Sequence, residues 1–326
     1  MTEAAVIGAG VAGLCLATEL AARGAAVRLI DPQAAPGPHA CSWWAGGMLA
    51  PCCEGETAEE PVLRLGLDAA DWWEAQGVAV ARRGTLVVAL GRDRRELDRF
   101  ARRTGGHRML DADGLAELEP DLAGRVDRAL FFPDEAHLDP RAALTHLRDR
   151  LDRQGLCTDG PAAALPPLRF DCRGLAARDA LPDLRGVRGE MAVLRSADIA
   201  LSRPVRLLHP RHPLYLVPRG DGRYMLGATQ IESGARGPAR VRSVLELLSA
   251  LYALHPAFGE AELIEIGADA RPAFPDNLPR LRRKGGTVYV NGLFRHGFLL
   301  APALARMAAD LALAGKSPEL LDEDHG

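Results

Sequence analysis

The sequence lacks the features that mark a nucleic-acid-binding, membrane or secreted protein. Its 326 residues carry 40 basic and 43 acidic side chains, so the net charge of −3 favours neither nucleic acid nor an anionic membrane. There is no Lys-rich patch, no low-complexity tract and no internal repeat. We find no secretory signal and no apolar run that is long enough to span a bilayer. These absences favour a cytoplasmic protein without nucleic-acid or membrane partners.

The cysteine pattern argues against a zinc site and against a disulfide-bonded scaffold. The six cysteines form no C-x-x-C pair and have no histidine spacing that suits zinc, so we expect no metal site. In a reducing compartment they are expected to be small buried apolar residues without disulfides. They are Cys15, Cys41, Cys52, Cys53, Cys157 and Cys172.

The glycine-rich segment near the start predicts a dinucleotide site. An apolar strand at 4–7, a helix at 14–23 and a second strand at 26–30 surround it, and Asp31 follows where an acid can accept hydrogen bonds from ribose hydroxyls. The first glycine makes the turn, the second lets a pyrophosphate approach, and the third lets helix and strand pack closely. This pattern does not separate NAD from FAD. The segment consists of Gly8, Ala9, Gly10, Val11, Ala12 and Gly13.

The remaining pattern predicts an α/β protein with antiparallel hairpins in its middle. We expect helices at 59–76, 142–154, 242–255 and 303–314, and strands at 85–90, 168–170, 191–194, 215–217, 224–227, 263–268 and 288–291. The Asp221-Gly222 turn joins two of these strands in a hairpin. The helix at 242–255 is expected to be amphipathic, with Leu245, Leu248 and Tyr252 on its apolar face.

Together with the glycine-rich segment, seven further blocks resemble the FAD-dependent D-amino-acid oxidase superfamily, and within it the glycine oxidases of thiamine biosynthesis. The resemblance implies a discontinuous FAD-binding domain, Rossmann-like and of the glutathione-reductase type, at 1–50, 141–187 and 286–326. It implies a substrate domain with a mixed antiparallel sheet at 51–140 and 188–285. The blocks are SWWAGGMLA (42–50), FPDEAHLDP (132–140), RGE (188–190), YLVPR (215–219), LGAT (226–229), RPAFPD (271–276) and FRHGFLLAP (294–302).

The resemblance also implies an activity and the residues that carry it. A bound FAD would accept hydride at N5 from Cα of glycine, and reoxidation by O2 would give H2O2 and leave an imine for thiazole formation. Arg271, placed just after a strand, is similar to the carboxylate-binding arginine of the family, and Tyr215 to the tyrosine that adds a hydrogen bond. Arg295 matches a second arginine on the substrate side, and Met48 a methionine in the pocket wall. A guanidinium group suits this task because it binds a carboxylate through two charge-assisted hydrogen bonds.

Two further segments resemble the parts of the family that surround the flavin ring. The loop containing Ser42, Gly46, Gly47 and Met48 is expected to pass along it. Gly297, Phe298 and Leu299 are expected to precede the last helix, with Pro302 in its first turn and His296 in the pocket wall. The region 156–185 is shorter than is usual in the family. Within it, Gly174 ends the segment that resembles the family's closing strand-and-glycine motif, and the residues that pack on the adenine are not assigned.

Several alternatives remain open at this level. The same chemistry could act on sarcosine, a D-amino acid or another small secondary amine, because one methylene discriminates by only about 1–3 kcal/mol. The electrons could pass to a quinone rather than to O2, and the protein could form a homo-oligomer. Outside this class, the superfamily includes enzymes acting on a tRNA wobble-base amine, which need a basic face that this near-neutral chain lacks. A nucleotide-binding protein without catalysis is the remaining alternative.

Overall fold

The structure, a computed structural model, describes residues 2–159 and 165–323. Its strands are β1 (Glu3–Ile7), β2 (Ala26–Asp31), β3 (Met48–Leu49), β4 (Val80–Ala81), β5 (Thr85–Ala89), β6 (Arg108–Leu110), β7 (Ala129–Phe132), β8 (Ala136–Leu138), β9 (Cys157–Asp159), β10 (Leu168–Asp171), β11 (Arg185–Arg195), β12 (Val205–Leu208), β13 (Leu214–Pro218), β14 (Arg223–Gly227), β15 (Ile231–Glu232), β16 (Glu262–Ala273), β17 (Arg280–Lys284), β18 (Thr287–Asn291) and β19 (Leu321–Glu323). Its α-helices are α1 (Val11–Ala22), α2 (Pro51–Glu54), α3 (Glu60–Gly66), α4 (Ala69–Ala75), α5 (Arg94–Arg103), α6 (Ala112–Leu118), α7 (Pro140–Arg153), α8 (Val241–Leu254) and α9 (Gly297–Ala314).

The first sheet joins the two ends of the chain. Its seven strands lie in the order β19-β17-β18-β10-β1-β2-β9, and the five from β18 to β9 are parallel. Helices α1, α7 and α9 contribute their apolar side chains to one large core with this sheet, as expected where crossover helices cover a parallel sheet. The C-terminal ends of β1 and β10 therefore lie side by side, with the glycine-rich segment directly after β1.

The second sheet is formed by the middle of the chain and is mixed. It has nine strands in the order β15-β11-β14-β13-β12-β5-β7-β6, with β16 paired to β11; β12 and β5 are parallel and the other neighbours antiparallel. A small antiparallel sheet, β3-β8-β4, accompanies it. The expected α/β class with one largely parallel and one mixed antiparallel sheet is confirmed. The division into domains stays a prediction, and β17, on the substrate-domain side of the expected boundary at 286, is hydrogen-bonded to β18 of the first sheet.

Several expected elements have different bounds because long-range contacts decide them. The helix expected at 59–76 is two helices, α3 and α4, with Leu67 and Asp68 between them. The strand expected to end at 268 continues to Ala273, because β16 pairs with β11 along its whole length. Arg271 therefore lies within a strand and not just after one.

The apolar face expected for α8 is wrong. Leu245 and Tyr252 are 63% and 58% exposed, whereas Leu248 is partly buried and packs against the core of the second sheet. The fully buried residues lie on another side of the helix. Apolar side chains occur on both sides of this helix, so its sequence alone does not select the stripe that packs against the second sheet. The buried stripe consists of Leu247, Ala250, Leu251 and Leu254.

The last helix starts earlier than expected. Because α9 begins at Gly297, Phe298 and Leu299 lie in its first turn, and Pro302 lies inside the helix. A proline there cannot donate a backbone hydrogen bond to the carbonyl four residues earlier, that of Phe298. That carbonyl accepts instead from Trp73 Nε1 at 2.9 Å, and the Trp73 and Phe298 rings stack with centroids 5.5 Å apart.

The same helix also contradicts the expectation that no apolar run is long enough to span a bilayer. Gly297–Ala314 has 18 residues with a mean hydropathy of 1.5, which meets that requirement by length and composition. In the structure 56% of it is buried among other elements, as in the core helix of a globular protein.

Candidate active site

One cavity of about 1030 Å³ brings together most of the predicted site residues. It extends from the start of α1 to Arg271 on β16, and its volume is at the upper end of the range of small-molecule sites. Ala9 and Gly13 do not line it. The predicted residues in its wall are Gly8, Gly10, Val11, Ala12, Asp31, Ser42, Gly46, Gly47, Met48, Gly174, Tyr215, Arg271, Arg295, His296, Gly297, Phe298 and Leu299.

The glycine-rich segment has the close packing that such a cradle requires. Gly8 has a φ of +101°, and a Cβ added at Gly13 would lie 1.8 Å from the carbonyl oxygen of Gly8. Ala9 N donates to Asp31 Oδ2 at 2.6 Å, so one oxygen of the acid holds the turn. Gly10 gives α1 no side-chain cap, and the start of the helix faces the cavity. The backbone N–H groups that follow Val11 in that first turn have no acceptor within the helix and suit a pyrophosphate, so these residues fit FAD.

The loop expected beside the flavin ring is held from both sides. Ser42 Oγ accepts from Val11 N at 3.2 Å, which joins the loop to the start of α1. Arg219 was not predicted as a site residue, although it ends the YLVPR block. It donates to the carbonyl oxygens of Gly46 and Leu138 at 2.7 and 2.8 Å. Burial lowers the pKa of Arg219 to about 10, so this guanidinium is still charged at neutral pH.

Arg271 and Tyr215 form the end of the cavity that suits a carboxylate. The Arg271 guanidinium lies across Gly189, where an added Cβ would be 2.1 Å from its Nη2. It makes no ion pair within residues 2–159 and 165–323; it donates to the carbonyl of Thr229 at 3.3 Å and is hydrogen-bonded to Tyr215. Burial lowers its pKa, while the neighbouring Tyr215 opposes this. Tyr215 has room because of Gly227, where an added Cβ would lie 2.7 Å from the phenol oxygen.

Arg295 also lines the cavity, but it already has an anionic partner. Its Nη2 lies 2.9 and 2.8 Å from the two carboxylate oxygens of Glu54, and 30% of its side chain is exposed. His296 Nε2 is 2.9 Å from Glu54 Oε2, and Arg206 Nη1 is 3.7 Å from Oε1. Burial raises the pKa of Glu54, but Arg295, His296 and Arg206 outweigh it and hold that pKa well below the usual range. No sequence signal pointed to Glu54 beyond its place just after the 42–50 block.

A buried ion pair supports the wall behind Arg271. Arg188 and Glu190 of the RGE block are 2% and 0% exposed, with Nε donating to Oε1 at 2.7 Å. The other nitrogens of Arg188 donate to the carbonyls of Ala235 and Pro238 at 2.8 and 2.6 Å. The backbone N–H of Glu190 donates to Thr229 Oγ1 at 2.9 Å. The pair thus fixes the segment that carries the carbonyl bound by Arg271.

Two further predicted features of the cavity wall are Met48 and the shortened region 156–185. Met48 is partly buried there and packs on the apolar cluster that contains Trp44. In the shortened region, residues 172–176 line the cavity, whereas 160–164 lie outside the described residues. Among the described residues, no group of three or more His, Cys, Asp or Glu side chains could hold a metal ion.

The chain resembles known proteins over almost its whole length. The family model for FAD-dependent oxidoreductases (DAO) matches residues 3–158 and 170–311. A putative thiamine biosynthesis oxidoreductase ThiO from Rhizobium etli is 58% identical over 305 residues, 92% of this chain and 93% of that protein. Glycine oxidase from Pseudomonas aeruginosa is 27% identical over 354 residues, 96% of this chain and 95% of that enzyme.

A solved structure extends this similarity to the fold. The crystal structure of glycine oxidase from Bacillus cereus superposes with a TM-score of 0.80, covering 97% of this chain and 96% of that one, at 21% identity. At that identity the likeness concerns the fold alone. The family match spans the glycine-rich segment, Arg271, Arg295 and the start of α9. The chain is therefore an enzyme that belongs to the family of FAD-dependent oxidoreductases (DAO).

Proposed function

We propose that this enzyme oxidises glycine to its imine with FAD as the cofactor, and that it serves thiamine biosynthesis. The observation that carries the proposal is the pairing of Tyr215 with Arg271, which has no ion pair among the described residues, in a cavity that begins at a dinucleotide cradle. The 58% identical relative is described as a putative thiamine biosynthesis oxidoreductase, which supports the metabolic role.

In this proposal the residues of the chain bind and orient the substrate. Arg271 binds the carboxylate through its guanidinium, and the Tyr215 hydroxyl donates a further hydrogen bond. FAD, when bound, supplies the acceptor for the hydride that leaves Cα. Carboxylate contacts hold that carbon in one orientation, which lowers the entropic part of the barrier. The start of α9 has no acidic residue in its first turn, so its partial positive charge favours negative charge nearby.

The finer assignments belong to the same proposal. Oxygen is the proposed electron acceptor and hydrogen peroxide the second product, with glyoxylate and ammonia forming when the imine meets water. We place the enzyme in the cytoplasm, and the unbridged Cys15, Cys41, Cys52, Cys53 and Cys172 agree with a reducing compartment. We propose no nucleic-acid partner.

Anaerobic mixing of the purified yellow protein with glycine tests the proposal. Working without oxygen isolates electron transfer from the substrate, and bleaching of the visible flavin absorption is the expected result. Bleaching only with sarcosine or a D-amino acid would keep the chemistry and change the substrate. No bleaching with any of these amines would refute the proposed activity.

A further inference from the structure

We propose that Glu54 is a specificity-determining residue that restricts the cavity to amines carrying a single carboxylate. By pairing with Arg295, it neutralises the other arginine predicted on the substrate side, which a second anionic group of a substrate could otherwise bind. The inference rests on the proposed function, because it concerns the site that Arg271 and Tyr215 form.

Arg271 and Arg295, the two arginines of the cavity wall that were predicted on the substrate side, differ in their partners. Arg271 makes no ion pair in the part of the chain that the structure describes, so it can accept a carboxylate without giving up an anionic partner. Arg295 already binds both oxygens of Glu54 at 2.9 and 2.8 Å. A carboxylate that competed for Arg295 would have to displace this ion pair.

Glu54 also places a negative charge in the wall. Its side chain lines the cavity together with Arg271 and Arg295, and its low pKa keeps it ionised at any pH at which the enzyme would work. A second carboxylate on the substrate would therefore meet repulsion from Glu54 rather than attraction from Arg295. A substrate with one carboxylate uses Arg271 alone and avoids this repulsion.

Replacing Glu54 by glutamine tests the role of its negative charge while keeping the shape of the side chain. In Glu54→Gln the side chain keeps its size and one carbonyl oxygen, which can still accept from Arg295 or His296. The negative charge is lost, so Arg295 becomes an uncompensated cation facing the cavity. That variant should acquire a second anion subsite without a change in the shape of the wall.

The chain offers a matched control two residues away. Glu56 Oε2 pairs with Arg206 Nη2 at 3.3 Å. Its charge also acts on Arg295, but without a hydrogen bond to it, and Glu56 does not line the cavity. Glu56→Gln removes the same charge from the same acidic segment. Glu54→Asp keeps the charge at the wall position.

The test is a binding measurement on the FAD-loaded enzyme, in which acetate and malonate are titrated while the visible flavin absorption is followed. The quantity of interest is the affinity for malonate divided by that for acetate. We expect this ratio to rise roughly 10- to 100-fold in Glu54→Gln, as removal of one nearby unit charge gives at an effective dielectric constant of ~20. In Glu56→Gln and Glu54→Asp it should stay within about threefold of the wild-type value.

Each result decides the proposal. An unchanged ratio in Glu54→Gln, or an equal rise in Glu56→Gln, would overturn it. If Glu54→Gln does not retain FAD, the wild-type ratio still decides, because a tenfold preference for malonate over acetate would contradict a site restricted to one carboxylate. A wild-type enzyme that binds neither acid and is not reduced by glycine would instead refute the proposed function itself.

Discussion

Replacing Arg271 by leucine tests whether this arginine binds substrate or stabilises the fold. Arg188, a buried structural arginine, provides the comparison. Arg188 is 2% exposed, paired with Glu190 and bonded to two carbonyls, whereas Arg271 has no ion pair within 2–159 and 165–323. The matched variant Arg188→Leu leaves the Glu190 carboxylate buried without its guanidinium. Breaking a buried pair in this way costs about 3–5 kcal/mol of unfolding free energy.

For Arg271→Leu we expect little loss of stability and a large loss of acetate binding. Its removal forfeits a 3.3 Å hydrogen bond to the Thr229 carbonyl and a hydrogen bond with Tyr215, worth about 1 kcal/mol each, and relieves the burial that lowers its pKa. The unfolding free energy should therefore fall by no more than about 2 kcal/mol, which is less than for Arg188→Leu. Binding should suffer instead, since truncating one partner of a charged pair costs about 2–5 kcal/mol. At 1.4 kcal/mol per factor of ten, we expect the Kd for acetate to rise about 10²-fold or more.

Two measurements on the FAD-saturated proteins check this. Urea denaturation at a fixed excess of FAD gives the free energies of unfolding, and titration of the flavin spectrum gives the Kd for acetate. If Arg271→Leu loses as much stability as Arg188→Leu, Arg271 is a structural residue and our reasoning fails. Acetate affinity equal to that of the wild type would remove its assignment as the carboxylate-binding residue.

Three other predictions concern acetate binding or the stability of the fold. Tyr215→Phe should weaken acetate binding by about 0.5–1.5 kcal/mol, the value of one hydrogen bond, and complete loss of binding or activity would contradict its assigned role. Glu135→Gln should stabilise the protein increasingly between pH 4.5 and 8. Burial raises the pKa of Glu135 to about 7 in the folded protein. The wild-type protein therefore has its full stability below the pKa that Glu135 has in the unfolded chain, and its free energy of unfolding falls by about 3 kcal/mol as the pH rises through 7. A melting-temperature difference between Glu135→Gln and wild type that stays constant with pH would contradict this. Trp73→Phe should cost about 1–3 kcal/mol by leaving the Phe298 carbonyl unpaired, and less in a Pro302→Ala background, where a backbone N–H can replace the indole; equal costs in both backgrounds would exclude that explanation.

Local signals predicted the features that depend on only a few residues. The glycine-rich segment has the close contacts expected of it, since Gly8 adopts a positive φ and Gly13 lies against its carbonyl. The hairpin at Asp221-Gly222 forms with φ values of +51° and +66°, as the turn chemistry requires. In both cases the residues that interact lie close together in the chain, so composition and spacing sufficed.

What the sequence did not reveal depends on distant partners. Glu54 and Arg295 are 241 positions apart, so no spacing rule connects them, and the resemblance identified the arginine without its carboxylate. The exposed side of α8 could not be distinguished from the buried one, because neighbouring strands select the stripe that packs. The interior position of Pro302 depends on an indole donor more than 200 residues away, which satisfies the carbonyl that the proline leaves free.

The way in which the first sheet joins both ends of the chain has a consequence for protein synthesis. Strand β10 lies between β1 from the start of the chain and β18 near its end, and the core of α1 is completed by α9. A ribosome adds roughly 5–20 residues per second, so the glycine-rich segment waits on the order of half a minute before residues 287–314 emerge. During that interval the apolar faces of β1 and α1 lack their partners. Flavin capture is therefore expected to occur after translation, and nascent chains that stop before β18 are expected to be substrates for chaperones rather than cofactor-bound intermediates.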